Sequence, residues 1–343
     1  MKQLKRAARE WNIPAKELIL LCEQQKIPGA VLAGGVWFIP EGAVLPALAR
    51  PFLKWAGGKS RALSQLCARY PQFLGGEVMR YAEPFVGGGA VLFHVLSHYH
   101  IQEAYAGDTN PELINAYRAV QSCVEELISL LEKYSAAYLS LDHEGRKAYY
   151  YSARQQFNAG PFCTANCPPE VERAALFLFL NRTCFNGLYR VSRSGQFNVP
   201  MGRYKNPQIV SASALRAASA ALRGVQLVCG SYEQSTDFID SSTFVYLDPP
   251  YRPLSRTSSF TAYTKDAFDD DAQRRLASFF KEMANRGAHV LLSNSDPKNT
   301  DSRDDFFDAL YRHFRIERIS AGRAINAKGE SRGQISELLI SSY

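Results

Sequence analysis

The stretch from Thr243 to Tyr251, TFVYLDPPY, combines residue types that could hold an amino group on a planar ring. A short apolar run bounded by breaking residues predicts a buried strand that ends at Asp248. Pro249 and Pro250 cannot continue a hydrogen-bonded ladder, so they fix a rigid loop in which the Pro249 carbonyl is free to accept. The Asp248 carboxylate and this carbonyl are two acceptors for an NH2 group, and the Tyr251 ring can stack on the ring plane. A flipped adenine of a DNA duplex is a substrate of this kind.

A second feature that could bind a ligand is the glycine-rich turn Phe85 to Gly89, between a predicted strand at Arg80 to Pro84 and a helix at Ala90 to Tyr99. Glycines there let the backbone approach a ligand closely. The next strand, Glu103 to Gly107, ends at Asp108, roughly 20 residues further on, where an acid can accept from ribose hydroxyls. This half is Rossmann-like, and its pattern fits either a dinucleotide or S-adenosylmethionine.

The sequence also predicts three further elements. Gly57-Gly58 before Lys59 makes backbone and a cation available to a ligand at a loop that opens a helix, Ser60 to Tyr70. Asp271 is the predicted cap of a later helix that stops at Gly287, and the last strand is predicted at Ile335 to Ser341.

The segment NRTCFNGLYRVSRSGQFNVPMGRYKNP, residues 181–207, interleaves basic and aromatic side chains. Cations suit phosphates, arginine forks suit base edges, and an aromatic ring can wedge into a base stack. The pattern therefore predicts duplex recognition rather than a merely solvated loop. Its basic and aromatic members are Arg182, Arg190, Arg193, Arg203, Lys205, Phe185, Tyr189, Phe197 and Tyr204.

Composition narrows the class of protein without deciding it. The chain has 343 residues, 46% of them apolar and 21% charged, which is typical of a globular protein of about two to three domains. A net charge of +7 favours a polyanionic partner. No apolar stretch is long enough for a membrane span and no signal peptide is evident, so a cytoplasmic location is expected. The seven cysteines follow no disulfide framework, and the pair Cys163 and Cys167 has no partner ligands, so reduced thiols and no metal site are expected.

The first 49 residues form a predicted module of their own. A helix from about Leu4 to Trp11, a break at Ile13-Pro14 and a second helix from about Ala15 to Lys26 give a helix-turn-helix pattern. A β-hairpin that turns at Gly34-Gly35 completes a winged-helix layout, which is similar to excisionase and MerR-type DNA-binding modules. A docking or oligomerisation module is the alternative interpretation.

Six motifs occur in one order: PFLKWAGGK, AEPFVGGGAVLF, GDTNPELI, LNRTCFNGLYR with GQFNVPMGRYKNP, LDPPY and LLSNSD. This set resembles the α-class DNA adenine N6-methyltransferases, the Dam type that modifies GATC. The resemblance covers the chain from Pro51 to the C-terminus. It implies an α/β fold, with a Rossmann-like S-adenosylmethionine-dependent methyltransferase sheet and a mainly helical DNA-recognition insertion. The small N-terminal helix-turn-helix and wing module is expected in addition, outside this resemblance. The predicted domains are residues 1–49, a catalytic domain of residues 50–110 and 225–343, and a target-recognition insertion of residues 111–224.

The resemblance also implies roles for individual residues. S-adenosylmethionine would be the cofactor, and double-stranded DNA the partner. One departure is Ser192, where the family has Asn, which removes an amide from an expected backbone contact. The implied catalytic residues are Asp248, Pro249, Pro250 and Tyr251. The implied cofactor residues are Trp55, Lys59, Phe85, Gly87, Asp108 and Asp248. The implied DNA contacts are Lys54, Leu188, Arg190 and Pro200 for bases, Phe185 and Asn186 as wedge, and Arg154, Asn198, Arg203 and Ser255 for phosphates.

The predicted reaction is methyl transfer to adenine N6 by base flipping. A cytosine N4 methyltransferase would use the same pair of acceptors, so it is the first alternative. A protein or RNA methyltransferase fits less well, because NPPY rather than DPPY is the commoner form in amide methyltransferases. The non-enzymatic alternative is a DNA-binding regulator with a silent methyltransferase domain, but every expected catalytic position is intact.

Overall fold

The computed structural model describes residues 1–11, 15–23, 27–44, 48–160, 168–252, 268–321 and 335–343. The N-terminal part contains β1 (Lys2–Gln3), α1 (Leu4–Glu10), α2 (Ala15–Glu23), β2 (Val31–Ala33) and β3 (Val36–Ile39). The remaining elements are α3 (Leu63–Cys67), β4 (Arg80–Glu83), α4 (Ala90–His98), β5 (Glu103–Asp108), α5 (Pro111–Ser122), α6 (Val124–Leu139), α7 (His143–Ala159), α8 (Val171–Thr183), α9 (Ala212–Ala221), β6 (Val225–Cys229), β7 (Thr243–Leu247), α10 (Asp270–Asn285), β8 (His289–Ser295), α11 (Phe306–Leu310), β9 (Arg315–Ala321) and β10 (Ile335–Ser341).

The N-terminal part packs its two helices around a small core of its own that includes Leu4, Leu18 and Ile39. The predicted hairpin turns at Gly34 and Gly35, both at positive φ, which glycine adopts without strain. The sequence did not predict β1, which pairs antiparallel with β3 and makes a three-stranded sheet in the order β1-β3-β2. The predicted break at Ile13-Pro14 and the end of the second helix at 24–26 lie outside the described residues.

The central sheet has seven strands in the order β6-β5-β4-β7-β8-β10-β9 within the described residues. The strands β6, β5, β4, β7 and β8 are parallel, and β10 is antiparallel to both of its neighbours. The chain moves from β4 through β5 to β6 on one side and from β7 to β8 on the other. The order therefore reverses between β4 and β7, which is where open α/β sheets bind ligands. The predicted α/β class with a largely parallel sheet is confirmed.

Side chains of β7 alternate between two hydrophobic layers, as expected for a strand buried on both faces. Phe244 and Tyr246 join the core formed with α4, α5 and α9, while Val245 and Leu247 join the core formed with α10. The first of these cores continues into α6, α7 and α8, so the helices of the predicted insertion share it with the sheet. The described cysteines are free thiols.

Two details differ from the sequence prediction. The helix predicted at Ser60 to Tyr70 is divided into a 3-10 turn at Lys59–Arg61 and the short α3. The cap of α10 is Asp269, whose carboxylate accepts from the Ala272 amide, and not Asp271 as predicted. Three acids stand in a row at 269–271, and each is a competent cap by type, so the sequence could not select the first.

Candidate active site

Three strand ends bring the predicted chemical groups to one edge of the sheet. Asp248 follows β7, the turn after Glu83 follows β4, and Asp108 ends β5. Since β4 lies between β5 and β7 and all three are parallel, their carboxyl ends lie side by side. The β-structure therefore places the DPPY loop next to the glycine turn, as the sequence predicted.

The Asp248 carboxylate has partners from two other elements. Lys59 Nζ lies 2.7 Å from Oδ1 and 2.8 Å from Oδ2, and Ser293 Oγ on β8 donates to Oδ1 at 2.9 Å. Lys59 is only 8% exposed, so this ion pair is largely removed from water and is stronger than a surface pair. The 3-10 turn that replaces the first part of the predicted helix begins at Lys59. The carboxylate therefore has a fixed orientation before any substrate binds.

The two prolines leave one carbonyl for a ligand. The Pro250 carbonyl accepts from Gln273 Nε2 on α10 at 3.2 Å. Within the described ranges, no group donates to the Pro249 carbonyl, although Pro249 itself is buried. This agrees with the predicted free acceptor beside Asp248.

The Tyr251 ring has contacts at its face and at its hydroxyl. Lys59 Nζ lies 4.8 Å from the ring centroid, and the hydroxyl donates to Glu337 Oε2 on β10 at 3.2 Å. Burial, with the nearby charges of Asp248 and Glu337, raises the pKa of Tyr251 well above its usual value, so the phenol stays protonated. The ring and Asp248 thus share Lys59 as a neighbour.

Arg252, which follows Tyr251, anchors the DPPY loop through two carboxylates. The Arg252 guanidinium binds both oxygens of Asp270, at 2.6 and 3.0 Å, and lies 2.6 Å from Asp304 Oδ2. It also lies over the Phe306 ring at 4.3 Å. A planar, forked cation with two carboxylates holds the loop more rigidly than a single ion pair.

The glycine turn and Asp108 form a cradle. The Gly87 amide donates to Asp108 Oδ2 at 3.2 Å, and the Asn110 amide donates to Oδ1 at 2.9 Å. A Cβ on Gly87 would lie 3.0 Å from the Trp55 ring, so the indole lies directly on this turn. Burial raises the pKa of Asp108 to about 6, although the backbone donors oppose that rise. Asn110 then caps α5 by accepting from the Glu112 and Leu113 amides, which explains the NPEL sequence locally.

Aromatic rings extend the cradle. Phe85 stacks on Tyr232 with centroids 5.4 Å apart and meets Phe268 edge to face. The residues present fit an S-adenosyl cofactor, because they offer a close-approach glycine turn, an acceptor for ribose hydroxyls and aromatic faces for the adenine ring. No group of three or more His, Cys, Asp or Glu that could hold a metal occurs among the described residues.

The predicted DNA-contact segment is organised by a buried amide. Asn181 Oδ1 accepts from the Lys54 amide at 2.8 Å, and its Nδ2 donates to the carbonyls of Lys54 at 2.7 Å and Gly187 at 3.1 Å. Lys54 Nζ lies 4.2 Å from the Tyr204 ring centroid, and Trp55 stacks on Tyr189 at 5.6 Å. The dipeptide Lys54-Trp55 therefore joins the recognition segment to the glycine turn.

The predicted wedge residues lie at the surface. Phe185 is 48% exposed, and Asn186 is exposed with φ 54°, a left-handed conformation that non-glycine residues rarely adopt. The Phe185 amide donates to the Pro200 carbonyl at 2.8 Å, which brings two predicted DNA contacts together. A rigid turn that presents an aromatic ring outward suits insertion into a base stack.

The other predicted DNA contacts are distributed around this turn. Arg190 is exposed and donates from Nε to Asn198 Oδ1 at 2.7 Å. Arg154 on α7 is half-buried, donates to the Val199 carbonyl at 3.3 Å and lies over Tyr151. Leu188 is half-buried, and Pro200 and Arg203 are exposed. Ser255 lies outside the described residues.

Four residues of these arrangements were not assigned from the sequence. Asn181 and Ser293 lie in the motifs LNRTCFNGLYR and LLSNSD, which carry the family resemblance. These motifs indicated the positions of the two residues but not their contacts. Glu83, 2% exposed, accepts from the Tyr81 hydroxyl at 2.6 Å, and burial raises the pKa of this carboxyl well above its usual value. No sequence pattern pointed to Glu337, because its contact depends on the antiparallel insertion of β10.

Comparison with known proteins assigns the chemistry. A model of the D12 class N6 adenine-specific DNA methyltransferases matches residues 55–325. The chain is 47% identical over 296 residues to the type II methyltransferase M.MjaIII of Methanocaldococcus jannaschii, which covers 86% of this chain and 99% of the relative. It is 38% identical to the type II methyltransferase M1.LlaDCHI of Lactococcus lactis subsp. cremoris, over 86% of this chain and 95% of the relative. It is 34% identical to the DNA adenine methylase of Escherichia coli K12, over 84% of this chain and 94% of that protein.

These matches confirm the predicted enzyme class. They also decide between adenine N6 and cytosine N4, the two target amines considered from the sequence. Adenine, not cytosine, is the base of the matching family. None of the described helices is long and apolar enough to cross a membrane. The chain belongs to the D12 class of N6 adenine-specific DNA methyltransferases.

Proposed function

We propose that this enzyme transfers a methyl group from S-adenosylmethionine to adenine N6 in double-stranded DNA, within GATC, after flipping the base out of the duplex. The observation that carries the proposal is the pairing of Asp248, held by Lys59 and Ser293, with the Pro249 carbonyl, which receives no hydrogen bond from the described residues. Two adjacent acceptors at a strand end match the two protons of an NH2 group.

The residues of the DPPY loop supply alignment more than base strength. The cofactor, when bound, supplies a methyl group on a sulfonium, which is already a good leaving group. The adenine N6 lone pair is delocalised into the ring. Hydrogen bonds from N6 to Asp248 and Pro249 pull the nitrogen toward tetrahedral geometry and offset the positive charge that develops there. Lys59 keeps the carboxylate in place on both of its oxygens, so little reorganisation is needed.

Trp55, Phe85, Gly87 and Asp108 would hold the cofactor, since the glycine turn and Asp108 form a preformed cradle under the indole. Lys59 belongs to both sites in this proposal. Its ammonium contacts the Gly57 carbonyl at 3.2 Å as well as Asp248, so it borders the cradle and the acceptor pair.

Base flipping is supported by two aromatic residues. The Tyr251 ring next to the acceptors offers a stacking surface, which is worth on the order of 1 to 3 kcal/mol per base toward the cost of extrusion. Phe185, exposed on its rigid turn, is placed to fill the space left in the duplex, with Asn186 beside it.

The GATC specificity is proposed from the resemblance, with support from the exposed positions of Arg190 and Pro200. Lys54 would read the first guanine, and Leu188, Arg190 and Pro200 would read the later base pairs. Asn198 would contact a phosphate. Its side-chain oxygen also accepts from Arg190 Nε, so Asn198 would orient Arg190 for base reading as well. Arg154, Arg203 and Ser255 would contact phosphates, which position the protein without reading sequence.

The proposal is tested by sequencing methylated bases in DNA from cells that express the chain, with Asp248→Ala as the control. We expect N6-methyladenine at GATC with the wild type and none with the variant, whose duplex binding should persist. Methylation at a different site would overturn the GATC assignment alone. N4-methylcytosine would overturn the assignment of adenine as the target base. Near-normal methylation by Asp248→Ala would overturn the proposed use of the acceptor pair.

We also propose that residues 1–49 add a DNA contact. Lys5 and Arg9 are exposed one turn apart on α1, which is a spacing that suits phosphate contacts. Deletion of residues 1–49 should raise the Michaelis constant for DNA and leave that for the cofactor unchanged. Unchanged DNA kinetics would instead favour a protein partner for this module.

A further inference from the structure

The hydroxyl of Tyr251 points to a residue far away in the sequence. Glu337 Oε2 accepts from it at 3.2 Å across 86 residues. Glu337 lies on β10, where it pairs with Ser295 of β8 and with Ile319 of β9. Its backbone is therefore held on both sides within the sheet, and the carboxylate extends from a rigid element to the DPPY loop.

Tyr251 needs such a support more than Asp248 does. Asp248 has three hydrogen bonds from Lys59 and Ser293, but the tyrosine follows two prolines on a loop. The hydrogen bond from the phenol to the Glu337 carboxylate locates the hydroxyl end of the ring. The Lys59 ammonium 4.8 Å from the ring centroid occupies one side, so the ring is located by contacts at two points.

We propose that Glu337 is a positioning residue that holds the Tyr251 ring in the orientation in which it stacks on the flipped adenine. The inference rests on the proposed function. Glu337 contacts the aromatic residue and not the reacting amine, so it acts through the tyrosine.

The test replaces the target adenine by 2-aminopurine, whose fluorescence rises when the base leaves the stack, and measures methylation of the normal duplex in parallel. Glu337→Ala should lower the fluorescence gain and raise the Michaelis constant for DNA about tenfold, the factor that corresponds to one charge-assisted hydrogen bond. Cofactor affinity should not change. Tyr251→Phe keeps the ring but loses the hydroxyl, so it should have a similar effect.

Two further variants separate positioning from general damage. Glu337→Gln keeps an acceptor oxygen at the same distance and should restore most of the signal. The double variant Glu337→Ala with Tyr251→Phe should be no worse than either single variant, because both remove the same bond. Glu317→Ala is the matched control: Glu317 lies on the adjacent β9 but pairs with Arg69 and Arg315, so its loss should leave the fluorescence gain unchanged.

Additive effects of the two single variants would overturn the inference, as would an unchanged fluorescence gain in Glu337→Ala. Should Glu337→Ala fail to fold, Tyr251→Phe and Glu337→Gln still decide: a wild-type signal in Tyr251→Phe would show that the hydroxyl positions nothing. Failure of the proposed function is distinct, since the wild type itself would then produce neither a fluorescence gain nor N6-methyladenine.

Discussion

Replacement of Asn181 by alanine tests whether Lys54, the proposed reader of the first guanine, depends on a buried amide. Asn181 is 2% exposed and lies on α8, 127 residues from Lys54 in the sequence. Its side chain makes three hydrogen bonds, two of them to the Lys54 backbone and one to the Gly187 carbonyl. Asn181→Ala removes all three, so the segment that carries Lys54 loses its attachment to the recognition turn.

The size of the effect follows from these bonds. A hydrogen bond between neutral groups contributes about 1 kcal/mol net, so three give a loss of roughly 3 kcal/mol in the free energy of unfolding. A well-made base contact gives about 1 to 3 kcal/mol of discrimination, or roughly 5- to 150-fold. If Lys54 reads the first guanine of GATC, as proposed, Asn181→Ala should lose most of the discrimination at that position. The other positions should lose less, because Asn181 bonds both the N–H and the C=O of Lys54 but reaches the other readers only through the Gly187 carbonyl, next to Leu188.

The assay compares kcat/KM on GATC duplexes with that on duplexes altered at one position. Thr183→Val is the matched control: Thr183 is buried on the same helix, but its hydroxyl donates only to the Phe179 carbonyl within α8. The control should lose some stability and no discrimination. Asn181→Ala could instead slow the methylation of all duplexes by one factor and leave the preference for the first guanine intact. The hydrogen bonds of Asn181 would then be purely structural, and the proposed dependence of Lys54 on them would be wrong.

Three further predictions concern stability, cofactor binding and the recognition turn. Glu112→Gln should lower the free energy of unfolding by about 3 to 5 kcal/mol in urea denaturation, since it breaks a buried pair with Arg173, whereas Glu125→Gln, in the exposed pair with Arg216, should change it far less. Burial raises the pKa of Asp108 to about 6, so below that pH the carboxyl is protonated and accepts less well from ribose hydroxyls. Cofactor affinity measured by calorimetry should therefore rise as the pH rises through 6. Asp108→Asn should flatten that dependence. Gly187→Ala should weaken duplex methylation without altering cofactor affinity, because Gly187 has φ +64° and an added Cβ would collide with the Lys54 side chain; an unaffected rate would refute the close packing at that turn.

The sequence predicted local features well where a pattern was short and strongly marked. The apolar run before Asp248, the glycine turn at 85–89 and the last strand at Ile335 to Ser341 are all found where the pattern placed them. The strand β9 was not predicted, because its only large apolar residues, Ile316 and Ile319, are three apart and show no alternation. The five-residue α11 was not predicted either, since it is too short to show a helical period.

The contacts that complete the site could not be predicted, because they join elements that are distant in the chain. Asn181 meets Lys54, and Glu337 meets Tyr251, only after the sheet order and the antiparallel register of β10 are fixed. Residue type signals that an acid or amide is available, but the partner depends on tertiary packing. Lys59 illustrates the difference: its place before a helix suggested a ligand contact, while its ion pair with Asp248 required the strand order.

The dipeptide Lys54-Trp55 explains how one fold can bring two large substrates to one loop. Lys54 is attached to the recognition turn by Asn181, and Trp55 lies on the glycine turn while stacking on Tyr189. Four residues later, Lys59 binds the Asp248 carboxylate. A single stretch of backbone thus contacts the predicted DNA surface, the cofactor cradle and the acceptor pair in sequence order. Under the proposed roles of these residues, displacement of the recognition turn would move the groups that align the methyl transfer, so recognition of the duplex and alignment of the reaction would depend on the same segment.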